Sequence, residues 1–171
     1  SKTDFSPVER LCYIGTRGMG ALEFEPAIRR QESKTVPLEI ARMIELAQNV
    51  VDNRLDLLVN LEKTDEALET IIRIGTSAGG ARAKALIGWH PKNNEVRSGQ
   101  VPLPKGYEPW IIKFDGVEDK LLGSAQGFGR IEYAYHKMAT KAGIEMMPCR
   151  LFEENGRAHF MTQRFDRELT G

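Results

Sequence analysis

The sequence has little cysteine, and the spacing of its two cysteines argues against a disulfide framework. Cys12 and Cys149 lie far apart and form no Cys-x-x-Cys pattern. Small proteins that depend on disulfides carry more cysteines at regular spacings. We therefore expect two free thiols in a reducing compartment, which favours the cytoplasm.

Long apolar runs and clustered histidines are also missing. No stretch approaches the roughly 18 apolar residues of a membrane-spanning helix, and residues 1–7 contain no signal-peptide core. The three histidines are scattered along the chain, so a zinc site is poorly supported. These absences predict a soluble protein with no membrane segment.

The charges of the chain cancel. Its 171 residues include 24 Lys and Arg and 24 Asp and Glu, so no global field attracts it to nucleic acid or to an anionic membrane. A role on nucleic acid would need a local basic patch. The length and the hydrophobic content of 41% fit one ordinary domain, or two small ones, with a real core.

The N-terminal residues predict one short helix and one short strand. Ser6 is a typical N-cap and Pro7 a typical first helical residue, so a helix is expected up to Gly15. The turn after this helix leads into residues 21–24, for which we expect a brief strand.

Two longer helices are expected next, and after them the pattern of apolar residues changes. Apolar residues recur at steps of three and four from 37 to about 52, and again over 64–74. After Gly75 the helical spacing gives way to short apolar runs separated by turns. The sequence therefore predicts an N-terminal subdomain of helices and a strand over 1–75 and a second domain over 76–171.

The second domain has the pattern of an antiparallel sheet with one helix. We expect strands at 84–89 and 110–114, a helix from Gly127 to about Ala142, and a hairpin with strands at 150–153 and 158–162 around Asn155-Gly156. The expected fold class is α+β, with a helical N-terminal subdomain followed by this sheet and the helix packed on it.

A small-residue segment at the start of the second domain could bind an anion. Glycine and alanine from Ala78 to Ala81 allow backbone N–H groups to approach a phosphate, and Arg82 and Lys84 add positive charge. The alternative is a flexible connection between two subdomains. The Walker and dinucleotide glycine patterns do not fit this chain.

Lys113 lies inside the apolar run 110–114, where its desolvation calls for an anionic partner. Glu132, in the helix that follows, is the candidate, and the order of loop, strand lysine and helix glutamate is that of a kinase small lobe. Taken separately, Lys113 could instead be an edge-strand lysine that reaches water. Glu132 could likewise be a solvated helix residue beside His136.

The segment 162–167 follows the last expected strand, where a kinase chain crosses between its lobes. Its backbone groups could bind adenine. The alternative is a charged surface turn in which Asp166 pairs with an arginine for little net energy.

Four motifs in this order resemble the HipA-like serine/threonine kinases, the toxins of bacterial HipBA toxin–antitoxin systems. They are Ser77-Ala78-Gly79-Gly80-Ala81-Arg82-Ala83-Lys84, Trp110-Ile111-Ile112-Lys113-Phe114, Glu132-Tyr133 and Arg164-Phe165-Asp166-Arg167. Residues 13–22 are similar to the family segment before the kinase core. The resemblance covers nearly the whole chain and implies a two-lobed kinase fold that uses ATP and Mg²⁺, with 76–171 as the kinase N-lobe.

The resemblance also implies site residues. The phosphate loop would comprise Gly79, Gly80, Ala81, Arg82, Ala83 and Lys84, and the adenine-contacting hinge Gln163, Arg164 and Phe165. Lys113 would be the nucleotide lysine and Glu132 its partner. Ser77 would be the site of an inactivating autophosphorylation that expels the loop. Arg82, Ala83 and Gln163 depart from a well-known version of the family, which has Gln, Glu and Glu there.

Family members continue into a mainly helical lobe with the base aspartate and the magnesium ligands. We therefore expect this chain to be the N-terminal portion of such a kinase, inactive alone, with its base beyond Gly171, because Asp166 comes too early in the kinase order. Family analogy implies an aminoacyl-tRNA synthetase as protein substrate. The alternative function is a non-catalytic module that docks a HipB-type DNA-binding antitoxin and meets DNA only through it. A weaker one is a small-molecule kinase.

Overall fold

A computed structural model of the chain describes residues 6–28, 37–52, 82–117 and 127–168, which form an α+β structure. The elements in chain order are helix α1 (Pro7–Ile14), a 3₁₀ turn (Gly15–Arg17), helix α2 (Ile40–Asp52), strands β1 (Lys84–Trp89), β2 (Val96–Ser98) and β3 (Glu108–Lys113), helix α3 (Phe128–Lys141), and strands β4 (Cys149–Glu154) and β5 (Arg157–Gln163). The α+β class predicted from the sequence is confirmed. The expected helix at 64–74 and the domain boundary near Gly75 lie outside the described residues.

The predicted N-terminal helix is confirmed as α1, and its cap explains why it begins where it does. The Ser6 hydroxyl accepts a hydrogen bond from the Glu9 N–H (3.2 Å), and the Glu9 carboxylate accepts one from the Ser6 N–H (2.7 Å). This reciprocal capping box satisfies two backbone donors that a helix start would otherwise leave open. Pro7 at the first helical position needs no partner for a backbone N–H.

The prediction of a strand at 21–24 is wrong. These residues have irregular backbone, the Phe24 N–H donates to the Gly15 carbonyl (3.2 Å), and Leu22 is 74% exposed. A short segment forms a strand only beside another strand, and in the described residues none lies next to residues 21–24. Helix α2 begins at Ile40 rather than at Pro37, because Pro37 forms an isolated bridge with Arg97.

The five strands form one antiparallel sheet in the order β2-β1-β3-β5-β4. The strands predicted at 84–89 and 110–114 are β1 and β3, and the hairpin is β4–β5. Its turn residues, Asn155 (φ 50°) and Gly156 (φ 75°), adopt the positive φ values that favour Asn-Gly in two-residue turns. Strand β2 was not predicted, and its three residues include a single apolar side chain, Val96.

Alternate residues along each strand point to opposite faces of the sheet. One face, called here the core face, packs on α2 and forms the core from Ile40, Met43, Ile44, Ala47, Ala85, Ile87, Trp89, Trp110, Ile112 and Met161. The register then places Lys84, Leu86, Ile111, Lys113, Phe160 and Thr162 on the opposite face, called here the site face. Helix α3 packs on the neighbouring strands β4 and β5.

Both cysteines are free thiols, as predicted. Burial raises the pKa of the Cys149 thiol, which favours its neutral form. Within the described ranges, no helix is long and apolar enough to cross a membrane.

Candidate functional site

An ion pair between Lys113 and Glu132 joins the middle of the sheet to α3. The Lys113 Nζ lies 2.6 Å from the Glu132 Oε2, and the two side chains are 34% and 26% exposed. Lys113 also lies over the Phe160 ring, 5.6 Å from its centroid. The pairing predicted from the apolar run around Lys113 is therefore present.

Both alternative interpretations of these residues are wrong. Strand β3 lies between β1 and β5, so Lys113 is in the interior of the sheet and is no edge lysine. The Glu132 carboxylate bonds to two cations and, among the described residues, makes no hydrogen bond to His136. The pair is half-buried, where a charge needs a partner more than at a solvated surface.

Arg82 is the second cation on Glu132. Its guanidinium bonds the other carboxylate oxygen, Oε1, donates to the Phe114 carbonyl (3.1 Å) and stacks over the Phe128 ring (5.3 Å to the centroid). The sequence placed Arg82 in a phosphate loop and gave no sign of this contact, because fifty residues separate the two side chains along the chain.

The site carries more positive than negative charge. Lys84 lies directly opposite Lys113 in the β1–β3 register, so the two side chains start about 5 Å apart on the same face. Arg82 and Lys113 thus bond one carboxylate, Glu132, and Lys84 adds a third positive charge beside Lys113. Like charges opposite each other on neighbouring strands repel. An anion bound at this place would relieve that repulsion.

Three backbone contacts fix α3, and with it Glu132, on the sheet. The Gly127 N–H, at the helix start, donates to both Asp115 carboxylate oxygens (3.0 and 3.1 Å). The Asp115 N–H donates in turn to the His159 Nδ1 (2.9 Å), and His159 is fully buried. Since Asp115 follows Lys113 by two residues, this chain of bonds ties the lysine segment to the glutamate helix.

Helix α3 also approaches strand β5 closely at Gly129. A Cβ built there would lie 1.9 Å from the Ala158 carbonyl oxygen, a distance at which backbone must move. The glycine therefore lets α3 lie directly against β5, and Glu132 follows one helical turn later. The sequence predicted a helix start at Gly127, but the close contact at Gly129 depends on packing and has no local signal.

We expect Gly129→Ala to lower the free energy of unfolding by about 2 kcal/mol, the usual range for overpacking. In an unobstructed helix the same change raises stability by roughly 0.5–1 kcal/mol, so the sign of the effect reports the contact with Ala158. Urea denaturation followed by circular dichroism measures it. A stabilised variant would show that α3 does not lie against β5. Ala134→Gly, at an exposed position of α3, is the control for helix propensity.

The predicted hinge residues lie at the other end of the site. Gln163 pairs with Trp110, three residues from Lys113 along β3, a separation of about 10 Å at the usual strand rise. The Gln163 N–H donates to the Pro148 carbonyl (2.9 Å) and the Arg164 N–H to the Pro109 carbonyl (3.0 Å). Both donors are therefore already used, while Phe165 is 74% exposed.

Arg164 and Asp166 form a buried, two-pronged ion pair instead of a charged surface turn. The Arg164 Nη2 and Nε donate to the two Asp166 oxygens (2.6 and 2.9 Å), and the side chains are 1% and 2% exposed. These hydrogen bonds hold the pKa of the Asp166 carboxyl below its ordinary value. The surface-turn alternative is wrong for these two residues, although Phe165 between them faces water.

Four predicted site residues, Ser77, Gly79, Gly80 and Ala81, lie outside the described residues. Ala83 is described, and it packs against the core while its carbonyl accepts the Phe114 N–H (3.0 Å). In the part of the chain that the structure describes, no group of three or more His, Cys, Asp or Glu side chains is arranged to hold a metal ion.

Comparison with known families gives one match. The family model of the HipA-like C-terminal domain matches residues 76–170, more than half of the chain. Neither the curated proteins nor the solved structures contain a significant match.

Proposed function

Because the chain belongs to the HipA-like family, we propose that it binds ATP as the nucleotide-binding part of a protein serine/threonine kinase. The observation that supports this proposal best is the Lys113–Glu132 ion pair on an interior strand. In kinases such a lysine holds the nucleotide phosphates and such a glutamate orients it. The surplus positive charge around Glu132 favours the same anionic ligand.

The dimensions of the site fit a nucleotide. Phosphates near Lys113 and adenine near Gln163 would be separated by the roughly 10 Å between these positions, a distance that one nucleoside triphosphate can span. Since the N–H groups of Gln163 and Arg164 are used within the protein, adenine would find its backbone partners from Phe165 onward. Ile111, which lies partly exposed on the site face, offers apolar surface to the base.

The remaining assignments come from the family resemblance. Gly79, Gly80 and Ala81 would complete the phosphate loop with Arg82, Ala83 and Lys84, and Ser77 would be the autophosphorylation site. Residues 76–171 would form the kinase N-lobe. Mg²⁺ would neutralise phosphate charge, and no described residue is proposed as its ligand. A toxin role, a cytoplasmic location and an aminoacyl-tRNA synthetase as substrate remain proposals by analogy.

Lys113→Ala is expected to weaken ATP binding at least tenfold, since it removes the cation nearest the proposed phosphate position. Isothermal titration of the chain with ATP and magnesium measures this. Lys92→Ala is the matched control, because Lys92 is an exposed lysine in the turn beyond the far end of β1. Equal affinities of the Lys113→Ala variant and the unchanged chain would contradict the proposed role of Lys113, and absence of ATP binding by the unchanged chain would contradict the proposed function.

The second candidate function is the docking of a HipB-type antitoxin. An exposed apolar stripe on α3 favours it: Ile131, Tyr135 and Met138 follow one another at helical spacing and are 50%, 66% and 56% exposed. A pure docking module would bind no nucleotide, so the same titration separates the two functions.

A further inference from the structure

Arg82 joins three segments that build the proposed nucleotide site. It precedes β1, its guanidinium bonds Glu132 on α3, and it donates to the carbonyl of Phe114, the residue after Lys113. Its side chain is only 18% exposed and is covered on one side by the Phe128 ring. These contacts hold the guanidinium between Glu132, Phe114 and Phe128, so Arg82 is placed to act through its neighbours.

The two cations on Glu132 change what Lys113 can do. If Lys113 were the sole partner of the carboxylate, the pair would be neutral, and an incoming phosphate would have to compete for the ammonium group. With Arg82 on Oε1 and Lys113 on Oε2, the three groups carry one net positive charge. The ammonium of Lys113 is then oriented by Glu132 and still attracts an anion.

Arginine suits this position for two reasons. Its planar fork can bond a carboxylate and a carbonyl at the same time, in fixed directions, as it does here with Glu132 and Phe114. It also brings a positive charge to the site together with these directed bonds. A lysine would keep the charge and lose the second directed bond.

We propose that Arg82 is a positioning residue for nucleotide phosphates, which fixes Glu132 and thereby Lys113 and supplies the surplus positive charge of the site. This inference rests on the proposed nucleotide-binding function. It departs from the interpretation that Arg82 touches phosphate directly as a loop residue. The effect of Arg82 should therefore depend on Glu132 and grow with the number of phosphates on the ligand.

The test is a series of affinities for adenosine, AMP, ADP and ATP, measured by isothermal titration with Arg82→Gln, Arg82→Lys and the unchanged chain. We expect Arg82→Gln to weaken ATP about tenfold, ADP less, and adenosine less than about twofold, with Arg82→Lys between Arg82→Gln and the unchanged chain. Equal weakening of all four ligands would mean that Arg82 only supports the fold and would overturn the proposal.

A second variant pair separates an indirect role from a direct one. If Arg82 acts through Glu132, Arg82→Gln in a Glu132→Gln background should weaken ATP binding by clearly less than the tenfold expected in the unchanged chain, because only the charge of Arg82, and not its hold on Glu132, is then lost. A full tenfold loss in that background would show direct phosphate contact and contradict the positioning role. Should Arg82→Gln fail to fold, Arg82→Lys alone and in the Glu132→Gln background carries the same comparison.

The failure of this inference is distinguishable from failure of the proposed function. If the unchanged chain binds ATP no better than adenosine, the nucleotide-binding function itself is wrong, and the positioning role falls with it. If ATP binds tightly and Lys113→Ala weakens it while Arg82→Gln does not, the function stands and the role of Arg82 is wrong.

Discussion

Asp166→Ala is expected to lower the free energy of unfolding by roughly 3–5 kcal/mol, the usual cost of breaking a buried ion pair from one side. The variant would leave the Arg164 guanidinium charged, 1% exposed and without the carboxylate that accepts two of its hydrogen bonds. Arg164 also approaches the Gly99 carbonyl, but at 3.5 Å this contact cannot replace the lost partner. Arg167 would lose its contact with the Asp166 carboxylate (3.3 Å) and keep its hydrogen bond to the Asp166 carbonyl (2.7 Å).

Urea denaturation of Asp166→Ala beside Glu168→Ala tests this expectation. Glu168 is an exposed acidic residue two positions further on, so its removal controls for the change in net charge. A double variant, Arg164→Met with Asp166→Leu, removes both charges and should recover most of the lost stability, because the uncompensated charge causes most of the loss. A loss below about 1 kcal/mol for Asp166→Ala would indicate that the pair is open to water.

Acidification from pH 6.5 to pH 4 is expected to remove about 3 kcal/mol of stability through His159 alone. Burial lowers the pKa of His159 from 6.5 to about 4, and the nearby charges of Arg157 and Arg82 act in the same direction, while Asp115 opposes them. In the unfolded chain the imidazole binds a proton near pH 6.5, so between the two pKa values the unfolded state holds more protons. Stability is then full above pH 6.5 and falls as the pH approaches 4, by about 1.4 kcal/mol per pH unit.

The bond between the Asp115 N–H and the His159 Nδ1 gives this titration a structural consequence. A protonated Nδ1 cannot accept that bond, so acid also weakens the tie between the Lys113 segment and the start of α3. Urea denaturation from pH 4.5 to 7.5 with His159→Asn measures the contribution, because asparagine offers an oxygen acceptor that does not titrate. His90→Asn is the control, since the His90 Nδ1 accepts a backbone N–H at the surface. Parallel pH profiles for His159→Asn and the unchanged chain would contradict the expectation.

Features with a local physical cause could be predicted from the sequence. The cap at Ser6 and the Asn155-Gly156 turn require particular residues at particular positions, so α1 and the β4–β5 hairpin were expected and found. The Lys113–Glu132 pair could be predicted because the burial of a lysine in an apolar strand is costly unless the lysine has an anionic partner. This prediction relied on the energetic cost of an unpaired buried charge and not on residue spacing. The two residues it paired are nineteen positions apart along the chain.

Features created by packing could not be predicted. The Arg82–Glu132 bond and the close approach of Gly129 to Ala158 depend on how α3 meets the sheet, and no spacing along the chain encodes them. Arg164 and Asp166 look like any charged turn until their burial is known. The prediction of a strand at 21–24 was wrong for a related reason, because this short segment has no neighbouring strand to pair with in the described chain.

The interior position of Lys113 also bears on how the chain avoids misfolding. If β3 paired with its neighbours one residue out of register, every side chain on it would change faces. Lys113 would then leave Glu132 and place its charge on the core face against α2, among apolar side chains such as Met43 and Ile44. A sheet with this wrong register would carry an unpaired charge in an apolar core, which is very costly in free energy. The residue proposed to bind nucleotide thus also penalises the wrong strand alignment, so its removal would leave the sheet with one less determinant of a unique fold.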